Sequence, residues 1–140
     1  MAYIDTSVLV GYYCPEPLSA AAEKLIREAD GPTISPLTEV EFCSALAVKV
    51  RTRELSVKTA ERLLSQFRLH LEERLYRIVP VGVREYLLAA DWISRFAVPL
   101  RPVDALHLAT AFSNGLELIT ADRALARCAG RFGVEHRLIQ

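Results

Sequence analysis

Short unbroken apolar runs alternate along the chain with longer stretches whose apolar residues recur at helical spacing. Ala2-Tyr3-Ile4 is the first run and reads as a strand. Val8 to Tyr13 reads as a short helix ended by Pro15 and Pro17, and Leu18 to Ala29 as a second helical segment. Asp30-Gly31-Pro32 is a turn signal. Thr33-Ile34-Ser35 then gives a brief strand, and Pro36 suits the first turn of a helix capped by Ser35 and reaching about Arg51. After a polar connection to Leu55, Ser56 caps a helix from Val57 to Arg74, with Leu63, Leu64, Phe67 and Leu71 in step. The pattern next predicts a strand over Arg77 to Pro80 and a helix over Val83 to Phe96. A further helix opens at Arg101-Pro102 and ends at Asn114-Gly115. A strand over Glu117 to Thr120, a helix over Asp122 to Cys128 and a strand over Val134 to Ile139 complete the chain.

Strands alternating with helices predict an α/β fold, with a central parallel sheet of four to five short strands flanked by helices. The two helices between Pro36 and Arg74 follow each other without a strand, which predicts a helical hairpin projecting from the sheet. With no internal repeat, low-complexity tract or linker, one domain over 1–140 is expected.

Hydrophobic residues at 51% and charged residues at 24% are ordinary for a folded chain. The start, Met1 to Asp5, lacks the basic and apolar regions of a signal peptide, and no apolar run approaches a membrane span of roughly 20 residues. Cys14, Cys43 and Cys128 fit neither a disulfide framework nor a zinc site, so a reducing cytoplasm is expected. Net charge is zero, from 17 basic and 17 acidic residues, and supplies no bulk basic signal for nucleic acid. Four acids gathered in a metal site would nevertheless leave 17 basic residues against 13 acidic elsewhere. Arginines outnumber lysines 14 to 3, and guanidinium forks suit phosphate; codon bias gives the same excess.

The acids are unevenly placed. Of five aspartates, Asp5, Asp104 and Asp122 fall at or near a helix start, and Asp5 and Asp122 directly follow apolar strands. Aspartate is a favoured N-cap and complements the helix dipole, so capping accounts for each alone. Glu41 does not fit that account: it lies mid-helix, on a face with Leu37, Ser44, Ala45 and Val48. Glu39, two residues away, lies roughly 200° around the helix, so only one of them faces a shared site. Spacing leaves both open. The C-terminal sheet edge, where Asp5 would sit, is where open α/β sheets bind ligands. Four carboxylates meeting there would repel one another without a bound cation. An all-oxygen set without matching His or Cys selects Mg²⁺ or Mn²⁺, ions that activate water in phosphodiester cleavage. Thr6, Ser7 and Thr120 would supply supporting hydroxyls.

These motifs together resemble the PIN-domain ribonucleases, in particular the VapC-type toxins of toxin–antitoxin pairs. The resemblance runs through Tyr3-Ile4-Asp5-Thr6-Ser7, Ser35 to Glu41, Val103 to Ala109 and Leu118 to Asp122, in order and over essentially the whole chain. It implies Glu41 as the second acid, six positions after Ser35. It further implies Asp5, Glu41, Asp104 and Asp122 as a magnesium-binding quartet for endoribonucleolytic cleavage of structured RNA, transfer or ribosomal. A homodimer and a small VapB-like antitoxin are implied as partners.

Other residues offer less. His107, one turn after Asp104, is in reach of it, and reads first as a partly buried helix histidine. His70 and His136 have no ligand spacing. Arg101 is a possible phosphate contact, and Lys49, Arg51 and Arg53 flank a helix end where cations favour the dipole. Tyr12 and Tyr13 read as core or dimer surface. A dehalogenase-like phosphatase would need an aspartate where Ser7 stands, and a response-regulator receiver a late lysine, whereas no lysine follows Lys58. The alternative from another class is a non-catalytic PIN-like module that binds RNA or a protein.

Overall fold

The first strand, β1 (Ala2–Ile4), is buried on both faces because its three side chains alternate between two separate cores. In the computed structural model, which describes residues 1–140, the chain continues through α1 (Thr6–Tyr13), α2 (Ser19–Glu28), β2 (Thr33–Ile34) and α3 (Pro36–Arg51). It goes on through α4 (Val57–Glu72), β3 (Arg77–Ile78), α5 (Val83–Ser94) and α6 (Pro102–Ser113). It ends with β4 (Glu117–Thr120), α7 (Arg123–Arg131) and β5 (His136–Leu138). The predicted elements therefore all form, with boundaries shifted by a few residues. The largest functional difference is at α1, which starts at Thr6 and so carries Thr6 and Ser7 in its first turn. The last helix runs on to Arg131 and closes where Gly133 takes a left-handed φ of 69°.

All five strands are parallel, in the order β3-β2-β1-β4-β5. Ala2, Ile4 and Ile119 face a core built with α1 to α4, centred on Leu9, Phe42 and Phe67. Tyr3 and Leu118 face the other core, built with α5, α6 and α7 around Trp92, Leu108 and Cys128. The helical hairpin is α3 and α4: its base packs through Phe42, Leu63 and Phe67, while the tip from Arg51 to Glu54 is exposed. No helix is long and apolar enough to cross a membrane.

The order of strands positions the site. From β1 the chain builds outward through β2 and β3, then returns to the other side of β1 with β4. The connections leaving β1 and β4 diverge, and a crevice opens at their C-terminal ends. Pairing of Ile4 with Ile119 sets Asp5 opposite Thr120, and the Asp5 amide donates to the Ile119 carbonyl at 2.9 Å.

Candidate active site

A cavity of about 290 Å³ at this crevice is lined by Asp5, Thr6, Ser7, Glu41, Arg101, Asp104 and Asp122, among others. Each acid comes from a different part of the chain: Asp5 from the end of β1, Glu41 from α3, Asp104 from the first turn of α6, and Asp122 from the start of α7. Glu39 faces away and pairs with Arg68 of α4 at 3.4 Å. Tertiary packing thus selects Glu41 for the cavity.

The four carboxylates share one arrangement. Asp5 Oδ2 accepts from the Ser7 hydroxyl and from Thr120 Oγ1 at 2.8 Å. Glu41 Oε1 accepts from Thr6 Oγ1 at 2.8 Å and meets His107 Nε2. Asp104 Oδ2 accepts from Arg101 Nε at 3.1 Å. Asp122 Oδ1 accepts from the amides of Ala124 and Leu125 at 2.8 and 3.2 Å. In every case the second oxygen makes no hydrogen bond to protein, and no buried side-chain oxygen in the chain lacks a partner. Each of these second oxygens therefore reaches solvent.

Capping explains only one of the three aspartates. Asp122 caps α7 through its side chain. Asp5 occupies the N-cap position of α1 without capping it, because the Ser7 and Thr120 hydroxyls hold its carboxylate. Asp104, third in α6, turns to Arg101 instead of back to the capping amide. The hydroxyls are themselves anchored: Ser7 Oγ accepts from the Ala121 amide and Thr120 Oγ1 from the Asp122 amide, both at 3.0 Å.

The electrostatics separate two of the acids. Burial pushes the Asp104 carboxyl above its usual range; the Arg101 contact opposes this, and the charges of Asp5 and Glu41 add to it. Burial also pushes Glu41 up, but its hydrogen bonds to His107 and Thr6 and the charge of Arg101 outweigh that and hold it low. Ligand atoms of Asp5, Glu41 and His107 lie within 4.8 Å of one another. Both ring nitrogens of His107 are already engaged, so the open donors are carboxylate oxygens, a set that fits a hard divalent cation.

The sequence matches the PIN domain family over residues 2–131. The chain belongs to the PIN domain family. No curated protein matches the sequence. Among solved structures, this PIN domain is similar to FitAcB from Neisseria gonorrhoeae: 20% identity, TM-score 0.72, covering 97% of this chain and 96% of that one. It is also similar to VapC20 from Mycobacterium tuberculosis, a sarcin–ricin loop cleaving toxin (18% identity, TM-score 0.72, 91% and 94% coverage). A third is DNA-bound VapBC from Salmonella typhimurium (18% identity, TM-score 0.71, 98% of each chain). At these identities the likeness is one of fold.

One part of the PIN domain's site escapes sequence reasoning. His107 does not reach Asp104; it is fully buried and spans Glu41 and the Tyr3 hydroxyl, 2.7 Å from its Nδ1. The Tyr3 hydroxyl lies 2.7 Å from Ser35 Oγ. Burial pushes the Tyr3 hydroxyl well above its ordinary range, so it stays protonated. The available signal was compositional: Tyr3 interrupts an apolar strand, and His107 interrupts an otherwise unbroken apolar run of α6, Ala105, Leu106, Leu108 and Ala109. Arg101 is largely exposed at the cavity mouth, its guanidinium turned to Asp104.

Proposed function

We propose that this PIN domain is a Mg²⁺-dependent endoribonuclease, with Mn²⁺ as a substitute, acting as the VapC-type toxin of a toxin–antitoxin pair. The observation that carries the reading is the shared geometry of Asp5, Glu41, Asp104 and Asp122. Each has one oxygen fixed by the protein and one left open, and all four line a single cavity. A structural cap or surface ion pair requires no such convergence. The solved relatives support the toxin role, since they include a toxin that cleaves the sarcin–ricin loop and VapBC and FitAB complexes bound to DNA.

Asp5, Glu41, Asp104 and Asp122 would hold the cation. Bound there, it would supply a water of lowered pKa and offset charge on the leaving oxygen of a phosphodiester. The chain's own residues do the rest. Thr6, Ser7 and Thr120 fix the inner oxygens of Glu41 and Asp5, so the outer ones are presented without reorganisation. Arg101, whose charged head is exposed, donates to a phosphate of the incoming RNA, a role suited to its planar fork. Ribosomal or transfer RNA is the substrate class, a VapB-like antitoxin and a second copy of the chain are the partners, and the cytoplasm is the compartment.

The deciding experiment is incubation of the purified chain with total cellular RNA and Mg²⁺ or Mn²⁺, with EDTA and Asp5→Asn as controls. Discrete fragments that disappear in both controls are expected, and mapping their ends names the substrate. Intact RNA, together with no shift of melting temperature on adding Mg²⁺, would overturn the nuclease reading in favour of a binding module.

A further inference from the structure

Glu41 differs from the other three acids in how it is held. Asp5, Asp104 and Asp122 are short side chains fixed by groups near the start of their helices or by the adjoining strand. Glu41 is longer, stands mid-helix on α3, and has no backbone amide within reach. Left alone, a partly exposed glutamate samples several rotamers. Here its Oε1 is gripped from two other elements, by Thr6 of α1 and His107 of α6.

With a neutral imidazole, the hydrogen bonds behind this grip run in one direction. An ionised carboxylate only accepts, so His107 Nε2 carries the proton it gives to Glu41. In the neutral ring Nδ1 is then the acceptor, which makes Tyr3 the donor at 2.7 Å. With its proton committed, the Tyr3 oxygen accepts from the Ser35 hydroxyl at 2.7 Å. The sequence is Ser35 to Tyr3 to His107 to Glu41, with Thr6 donating to the same terminal oxygen. Tyr3, Ser35 and His107 are all buried, and every polar atom in the relay has a partner. The ring is thereby fixed in tautomer and orientation, as an outer partner fixes a ligand in metal sites.

The placement of the relay is as informative as its direction. Tyr3 lies two residues before Asp5, Ser35 opens the helix that carries Glu41, and His107 lies one turn after Asp104. One buried chain therefore braces the three elements that present three of the four acids.

We infer that His107 and Tyr3 are positioning residues that set the Glu41 carboxylate for cation binding, and that His107 is not itself a ligand. This rests on the metal-site reading above. Its consequences can be separated from that reading by measuring binding and tautomer without any RNA.

Mn²⁺ binding to the full chain, followed by electron paramagnetic resonance, is the first measurement, with thermal melting in EDTA to establish that each variant is folded. His107→Asn, which withdraws the donor from Glu41, is expected to weaken Mn²⁺ binding by about 10- to 100-fold. Tyr3→Phe removes only the hydroxyl that orients the ring, and a loss of about tenfold is expected. His107→Gln, which restores an N–H near the Nε2 position, recovers most of the loss. Folded Tyr3→Phe and His107→Asn proteins that bind Mn²⁺ like the parent would overturn the positioning role while leaving the metal site intact. A parent chain that binds no Mn²⁺ would instead remove the metal site, and the positioning role with it. The second measurement needs no substitution: long-range ¹H–¹⁵N spectra of the histidine rings. An Nε2–H tautomer for His107, unchanged on adding Mg²⁺, is expected; an Nδ1–H tautomer, or Nε2 losing its proton to a cation, would overturn the inference.

Discussion

Thr120 Oγ1 donates to Asp5 Oδ2 at 2.8 Å across the gap between two adjacent parallel strands, joining residues 115 apart in sequence. The same hydroxyl oxygen accepts from the Asp122 amide at 3.0 Å. One buried side chain thus sets both the orientation of Asp5 and the path of the chain into Asp122. Thr120→Val keeps the shape and removes both bonds. It is expected to cost about 1–3 kcal/mol in denaturant unfolding, because the partly buried Asp122 amide loses its partner and Asp5 Oδ2 loses one of its two donors. Cleavage should fall in parallel, and Thr120→Ser should restore both.

The two acids of α3 separate cleanly. Glu39→Gln breaks only a partly exposed pair with Arg68, a change of at most about 1 kcal/mol, and RNA cleavage is expected to persist. Glu41→Gln should abolish cleavage. Equal activity of the two variants would place the site elsewhere.

Asparagine distinguishes cap from ligand. Asp122 caps α7, and asparagine caps nearly as well, so Asp122→Asn should stay within about 1 kcal/mol of the parent in EDTA. Mg²⁺-dependent cleavage should nevertheless be lost, since the substitution removes a charge that the proposed cation site requires. A large stability loss with cleavage retained would leave capping as the residue's whole role.

Asp104 and Glu41 predict opposite pH signatures in the metal-free chain. The folded-state pKa of Asp104 is raised, so the ionised group opposes folding, an effect that grows as pH rises through the interval between its unfolded and folded values. Asp104→Asn should therefore melt higher relative to the parent at neutral pH than in acid. The pKa of Glu41 is lowered, so its contribution is present above the unfolded value and is lost as pH falls through the folded one. Glu41→Gln should melt lower relative to the parent at neutral pH, with the difference closing in acid. Melting curves from acid to neutral pH with EDTA check both signs.

At the C-terminal end of α1, the Tyr13 hydroxyl bonds His70 Nδ1 at 2.7 Å and the Tyr76 hydroxyl at 2.8 Å, pinning α1 to α4 and to the residue before β3. Tyr13→Phe should lower stability by about 1–3 kcal/mol through the partners left unpaired. Mn²⁺ affinity should be unchanged. A fall in affinity would mean that the orientation of α1, and with it Thr6 and Ser7, depends on this cluster.

The elements themselves were legible in the sequence because they follow from local rules. Short apolar runs, helical-period apolar spacing, Pro36 and Pro102 at helix starts, and Gly115 at a left-handed φ of 62° after α6 are all short-range signals. So was the placement of Asp5 and Asp122 directly after strands. What the chain pattern could not settle were relations between distant segments. Glu39 and Glu41 present the same local chemistry, and only the packing of Phe42 and Leu46 into the core between α1 and α4 decides which faces the crevice. Asp5 and Asp122 looked alike as caps, yet Asp5 is claimed by Thr120 because the strand order sets β4 beside β1. His107 was within reach of Asp104 along one helix, but the buried face of α6 turns it to Tyr3 and Glu41. Local propensity determines which residues become helix or strand. Which polar atoms share a proton depends on where the whole core sets those elements, a global property that no short stretch contains.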